Sequence, residues 1–172
     1  MAKKILVTYA TRHGATAGVA EAIGKTLAEG GGHVDVLPMQ KVSDLAPYDA
    51  VVVGSAIQAA HWLPEALAFV QAHREELARR PFAAFQVCMT LAMRKGDYRD
   101  YVATWMQPVR DLVRPLSEGF FAGVLDISKV PSLGNRIKFR ISVLMGVWTE
   151  GDHRDWAAIR AWAASLRPLL LK

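Results

Sequence analysis

The sequence predicts a doubly wound α/β domain built on a parallel sheet. Two observations carry that reading. Five short apolar runs alternate along the chain with segments whose apolar residues recur at helical spacing. The runs are continuous rather than every-other-residue, the pattern of strands buried on both faces between helical layers.

In order, Ile5–Thr8 reads as the first strand. Ala15–Glu29 is a helix with Val19, Ile23 and Leu27 on one face, stopped by Gly30, Gly31 and Gly32. His33–Met39 and Asp49–Gly54 are the second and third strands. Leu63–Arg80 reads as a helix with a proline in its first turn and Leu67, Val70 and Leu77 on one side. Phe82–Met89 is the fourth strand, Asp97–Arg114 a helix and Phe120–Leu125 the fifth strand. Asp155–Leu170 closes the chain as a helix with an apolar stripe of Trp156, Ile159, Trp162, Ala163 and Leu166. Between the last strand and this helix lie about 25 residues, Asp126–Glu150, longer than such connections usually run.

Composition narrows the function classes. With 172 residues, 52% apolar and 22% charged, the chain can bury a core and is read as one domain over 1–172. No stretch approaches the roughly 18 uncharged apolar residues that span a bilayer. The basic N-terminus is followed only by the short run Ile5–Val7, so no signal peptide is expected and the location is read as cytoplasmic. The single cysteine, Cys88, excludes an internal disulfide and a Cys-based metal cluster; in a buried strand it is expected to be inert. The five histidines show no metal-ligand spacing, and His73 and His153 are placed on solvated faces, so no metal is expected. The net charge is +5, and Lys129–Thr149 holds four basic residues and no acidic one. Nucleic acid is disfavoured as the partner: no aromatic platform or recognised binding motif accompanies the charge.

Folds of this class bind ligands outside the carboxyl ends of their strands, which directs attention to Tyr9–Thr16, Gly54–Trp62 and Thr90–Arg94. The first is the strongest signal. In YATRHGAT, hydroxyls and free amide groups converge at a helix N-terminus, where the dipole favours an anion and Gly14 lets the backbone approach. Each charge-assisted hydrogen bond there contributes roughly 1.5–3 kcal/mol. The plainer alternative is that Thr11 or Thr16 merely caps the helix. A Walker-like GVAEAIGKT at Gly18–Thr26 is a decoy: it has five residues between the glycines and lies inside the amphipathic helix. No GxGxxG follows the first strand, so a dinucleotide is not favoured.

A hydroxyl-rich loop after the first strand and a Gly-Ser step after the third resemble the flavodoxin family over the whole chain. The resemblance is closest to its menaquinone-dependent protoporphyrinogen IX dehydrogenase branch, a group in haem synthesis. The stretches that carry it are ATRHGAT at 10–16, VVVGSAIQAAHW at 51–62, VCMTLAMR at 87–94 and TEGDHRDWAAI at 149–159. The branch shares the extra residue of the first loop, Arg12 and His13 standing where one residue is usual, and the long insert near the fifth strand.

The resemblance implies a five-stranded sheet in order 2-1-3-4-5 with an insert at about 126–150, and non-covalent flavin mononucleotide (FMN). It places Thr11, Arg12, His13, Gly14, Ala15 and Thr16 around the phosphate. It places Ser55, Ala56, Ile57 and Trp62, with Thr90, Leu91 and Ala92, beside the isoalloxazine ring. Trp62 either stacks on the ring or packs at the start of the next helix; His61 is a candidate for proton transfer, a surface or capping role being the alternative. The implied activity passes electrons from a porphyrinogen through the flavin to a quinone. The rival is an electron carrier or quinone reductase that docks to protein partners. Self-association is left open.

The basic block bears on both. In Arg136–Trp148, residues Ile137, Ile141, Leu144 and Trp148 share a helical face beside Arg136, Lys138 and Arg140. With Arg94, these basic residues are candidates for binding substrate carboxylates or for peripheral contact at the inner face of a membrane. The alternative is that the apolar face docks on the sheet and the charges are simply solvated. A cation about 4 Å from a reduced flavin, at an effective dielectric near 20, would stabilise it by roughly 4 kcal/mol, on the order of 0.2 V for one electron.

Overall fold

The computed structural model describes residues 2–172. β1 (Lys4–Ala10) runs parallel to β2 (His33–Pro38) on one side and to β3 (Ala50–Gln58) on the other. β5 (Phe82–Val87) joins β3, and β6 (Glu118–Phe121) joins β5, giving the parallel order β2-β1-β3-β5-β6. β4 (His61–Trp62) is a short antiparallel addition that folds back on the end of β3. Leaving that strand aside, the order is the one expected, with the reversal at β1 and β3.

Alternate β1 residues feed two cores. Ile5 and Val7 pack with α1 (Ala15–Glu29) and α7 (Trp156–Leu170), alongside Val19, Ile23, Ile159 and Leu166. Leu6 packs on the other face with Leu63, Phe69 and Val70 of the α2 (Pro64–Ala72) region, and with Met106 and Val109. Both faces of the sheet are thus covered, which is why its strands read as unbroken apolar runs.

Two expected helices are interrupted. Leu63–Arg80 divides at His73 into α2 and α3 (Arg74–Ala78). Asp97–Arg114 becomes α4 (Arg99–Ala103), a 3-10 turn at Thr104–Met106, and α5 (Gln107–Leu112). Pro108 accounts for the second break: it lacks an amide hydrogen and its ring crowds the carbonyl one turn back.

The expected fifth strand also divides. β6 ends at Phe121, and β7 (Val124–Leu125) leaves the sheet to pair antiparallel with β8 (Gly151–Asp152). That ribbon brackets the 126–150 insert, which contains a 3-10 turn at Ile127–Lys129 and α6 (Leu133–Leu144). Ser132 caps α6 by accepting from the Asn135 amide at 3.4 Å. The helix is earlier than the Arg136–Trp148 span expected, and Trp148 lies beyond its end. Its apolar face does not dock on the sheet: no α6 residue is buried.

One buried polar network ties the layers together. Gln86 is fully buried; its Oε1 accepts from Trp62 Nε1 at 3.0 Å and its Nε2 donates to the Val102 carbonyl at 2.7 Å. Gln86→Met keeps the volume and strands both partners, at an expected cost of about 2 kcal/mol. Thermal unfolding should fall by about 4–8 °C; an unchanged midpoint would mean that neither bond matters.

Candidate functional site

The three candidate loops leave the sheet side by side. Ala10 at the end of β1 is paired with Ser55, and Ala56 with Val87 at the end of β5. Neighbouring strands lie about 4.8 Å apart, so the loops border one shallow edge.

In the first loop, Thr11 Oγ1 accepts from the Gly14 amide at 3.0 Å, closing a tight turn before α1. Gly14 is the N-cap residue with φ 91°, in the left-handed region. A Cβ there would meet nothing within 4 Å, so the dihedral rather than crowding calls for glycine. α1 has no side-chain cap and no acidic residue in its first turn. The plainer alternative, a threonine capping α1, is therefore not what forms. Instead the first-turn amides are left for an external acceptor. Thr16 is buried beside them, while His13 is exposed.

Arg12 is committed to α2. Its guanidinium forms a two-pronged ion pair with Glu65 in the first turn of α2, with Nη2 3.1 Å from Oε2. That pairing holds the Glu65 carboxyl below its usual range. His13 lies near the insert: Asp126 is held low first by its hydrogen bond to Ser128, with smaller electrostatic help from Lys129 and His13.

The second loop is a strand extension that ends in a hairpin. β3 continues to Gln58, and Ala59 and Ala60, at φ 50° and 64°, turn the chain back into β4. Two left-handed residues make a primed turn, whose twist suits a hairpin but usually requires Asn-Gly. Ala59→Asn with Ala60→Gly should stabilise the protein by about 1 kcal/mol, raising the midpoint about 2–4 °C. A fall on calorimetry would show that the alanines are not strained.

Two of the residues expected beside the ring are buried behind the hairpin. Ser55 is fully buried, with Oγ accepting from the Leu63 amide at 3.0 Å and donating to the Ala56 carbonyl at 2.7 Å. Trp62 is 2% exposed, its indole N–H committed to Gln86. Of the two roles considered for Trp62, the geometry shows packing. Ala56 and Ile57 remain half-buried on the extension, and His61 is exposed at its tip.

The third loop is the 3-10 turn Met89–Ala92, in which Thr90, Leu91 and Ala92 are all partly accessible. Cys88 just before it is buried, and that burial pushes its thiol up to about 11, an unreactive state at neutral pH. The Arg94 amide donates to the Val147 carbonyl at 3.2 Å, tying this loop to the end of the insert.

Arg136, Lys138 and Arg140 gather on α6 rather than on the loops. Arg136 is half-buried, its Nε donating to the Val130 carbonyl, while Lys138 and Arg140 are exposed. A cleft of about 420 Å³ opens beside Leu91, lined also by Tyr98, Phe120 and His153. His153 is half-buried rather than solvated: its amide donates to the Gly123 carbonyl at 3.0 Å and its ring meets the Thr149 carbonyl. His73 is likewise half-buried, against Phe69 at 4.6 Å. Tyr98 carries no local sequence pattern, and His153, inside the 149–159 stretch that carries the resemblance, is brought to the cleft by the folded ribbon.

Residues 6–154 match the model of the flavodoxin domain family. The chain belongs to the flavodoxin domain family. This flavodoxin domain is similar to the protoporphyrinogen IX dehydrogenase [quinone] of Leishmania major. The two are 27% identical over 176 residues, 98% of this chain and 76% of the relative. Among solved structures it resembles a short-chain flavodoxin associated with a PDU bacterial microcompartment, with a TM-score of 0.58, 15% identity and coverage of 95% and 96%. A Streptococcus flavodoxin (strain TIGR4) gives 0.56, 16% identity and coverage of 96% and 98%. A Lactobacillus acidophilus flavoprotein solved in complex with FMN gives 0.51 at 14% identity, over 69% of this chain and 93% of that one. At these identities the structural likeness concerns the fold. No helix among the described residues is long and apolar enough to cross a membrane.

Proposed function

We propose that this flavodoxin domain binds FMN and works as an oxidoreductase, taking electrons from a porphyrinogen-like substrate and passing them to a quinone. The observation that carries the cofactor is the uncapped, acid-free N-terminus of α1 behind the left-handed Gly14. The first-turn amides and the Thr11–Thr16 turn would hold the phosphate. Ala56, Ile57 and the Thr90–Ala92 turn would border the ring. When bound, the flavin supplies the redox chemistry.

The chain's own residues divide the remaining work. The α1 dipole would hold the phosphate, and the Ala59–Ala60 hairpin fixes the strand extension on one side. The Arg94–Val147 bond anchors the loop on the other. His61, exposed at the hairpin tip, would serve as a proton donor or acceptor. Arg94, exposed at the end of the third loop, would meet a substrate carboxylate.

The porphyrinogen and quinone rest on the activity named for the Leishmania relative, which aligns with 98% of this chain. The second reading, an electron carrier docking to proteins, is favoured by the likeness to flavodoxins in fold. An anaerobic assay separates them. Protein loaded with FMN is mixed with protoporphyrinogen and a soluble menaquinone analogue, and porphyrin fluorescence is followed. A rise requiring protein, flavin and quinone together supports the dehydrogenase. No rise with flavin demonstrably bound supports the carrier.

A further inference from the structure

α6 turns an apolar stripe to solvent. Leu133 is 71% exposed, Ile137 and Ile141 50%, Leu144 87% and the following Met145 75%. At 100° per residue these positions share an arc of about 120°. Phe139, Ser142 and Val143 are half-buried, so the opposite side is the one turned to the protein.

Charge borders the stripe. By the same helical geometry, Arg136 and Arg140 lie along one edge and Lys138 along the other, with Lys129 at the preceding turn. No acidic residue occurs between Lys129 and Thr149. The helix is also fixed in place beside the candidate site. The Ile127 amide donates to the Glu150 carboxylate at 3.2 Å at one end of the insert. At the other, Val147 holds the Arg94 amide of the third loop. With 12 residues, α6 is a platform about 18 Å long.

We propose that α6 is an interfacial helix that docks the protein on an anionic lipid surface, with the Met89–Arg94 loop held next to the bilayer. An apolar stripe sunk to the acyl boundary with cations on both edges at headgroup level is what such a surface selects. A second copy of the chain is a poorer occupant. Pairing stripe to stripe would bring the same basic edges together with no acidic residue to meet them. The proposal does not depend on the electron-transfer reading; combined with it, docking would set the site beside the membrane where an apolar quinone dissolves.

The test is co-sedimentation of the full chain, with and without added FMN, on phosphatidylcholine vesicles with and without phosphatidylglycerol. Binding should require the anionic lipid and weaken with salt. Lys138→Gln with Arg140→Gln should lower partitioning about 25-fold, near fivefold per charge. Ile141→Ser with Leu144→Ser, which alters only exposed positions, should lower it at least about tenfold at unchanged thermal stability. FMN binding, read by fluorescence on the same samples, reports the cofactor separately, and vesicle binding in its absence would still support docking. No binding to anionic vesicles would overturn the proposal, as would binding that both variants retain. A dimer that the serine variant dissolves, without vesicle binding, would overturn it in favour of self-association.

Discussion

A glutamate in place of Ala17 should leave the fold intact or firmer while removing FMN binding. Ala17 is in the first turn of α1, half-buried, and that turn has neither an acidic residue nor a side-chain cap. Carboxylates normally favour this position: they meet the positive end of the dipole and contribute about 0.3–1 kcal/mol. Their omission makes sense if another anion belongs there. Helical side chains lean toward the N-terminus, so the new carboxylate would project at the Thr11–Thr16 turn. At about 6 Å and an effective dielectric near 20, repulsion is about 3 kcal/mol per unit of phosphate charge. FMN affinity should fall at least about a hundredfold, while the unfolding midpoint of the flavin-free protein stays level or rises by about 1–4 °C. Ala17→Gln, carrying no charge, should bind FMN nearly as the parent does. Equal FMN affinity in the glutamate variant would remove the phosphate from α1.

Gly54→Ala should be among the most damaging small substitutions in the protein. Gly54 sits opposite Phe85 in the β3–β5 register, and a Cβ there would fall 2.0 Å from the ring's Cζ. The ring has no retreat: it is fully buried, with the Phe121 and Trp162 rings centred 6.4 and 6.2 Å away. Overpacking of this severity costs about 3 kcal/mol, a fall of about 6–12 °C in the unfolding midpoint. Because Gly54 directly precedes Ser55 and the strand extension, FMN affinity should fall as well. Adding Phe85→Leu should recover part of the loss, a coupling that a double-mutant cycle would measure. Additive losses would mean that the clash with Phe85 is not the cause.

The parts of the fold that depend on local signals were legible in the sequence. α1 forms over the expected Ala15–Glu29 because Gly14 and Gly30 punctuate both ends of a strong helical period. The central strands were legible because both their faces are buried. Pro108 signalled the break in Asp97–Arg114, but the apolar period on either side of it reads as one helix. β3 runs past the expected end at Gly54 to Gln58, an extension hidden because Ala59 and Ala60 carry none of the residues that mark a primed turn. That hairpin decides where Ser55 and Trp62 point, so their inward orientation was out of reach.

The site divides in the same way. Gly14 and the acid-free first turn of α1 belong to one short segment and could be read from it. The Arg12–Glu65 pair joins residues 53 apart, and the cleft residue His153 reaches β6 only through the β7–β8 ribbon. For α6, helical period finds the apolar stripe but cannot tell whether it faces a sheet or solvent; only packing distinguishes these.

Comparing FMN with riboflavin tests directly where the phosphate is held. The two share the ring and differ in the terminal phosphate, so fluorescence quenching titrations of each give the phosphate's contribution by subtraction. With two or more charge-assisted bonds from the α1 turn, at about 1.5–3 kcal/mol each, FMN should bind at least about a hundredfold more tightly, with the preference reduced in Ala17→Glu. Equal affinity for both flavins would contradict the account, leaving the uncapped helix without a ligand and the phosphate, if any, elsewhere.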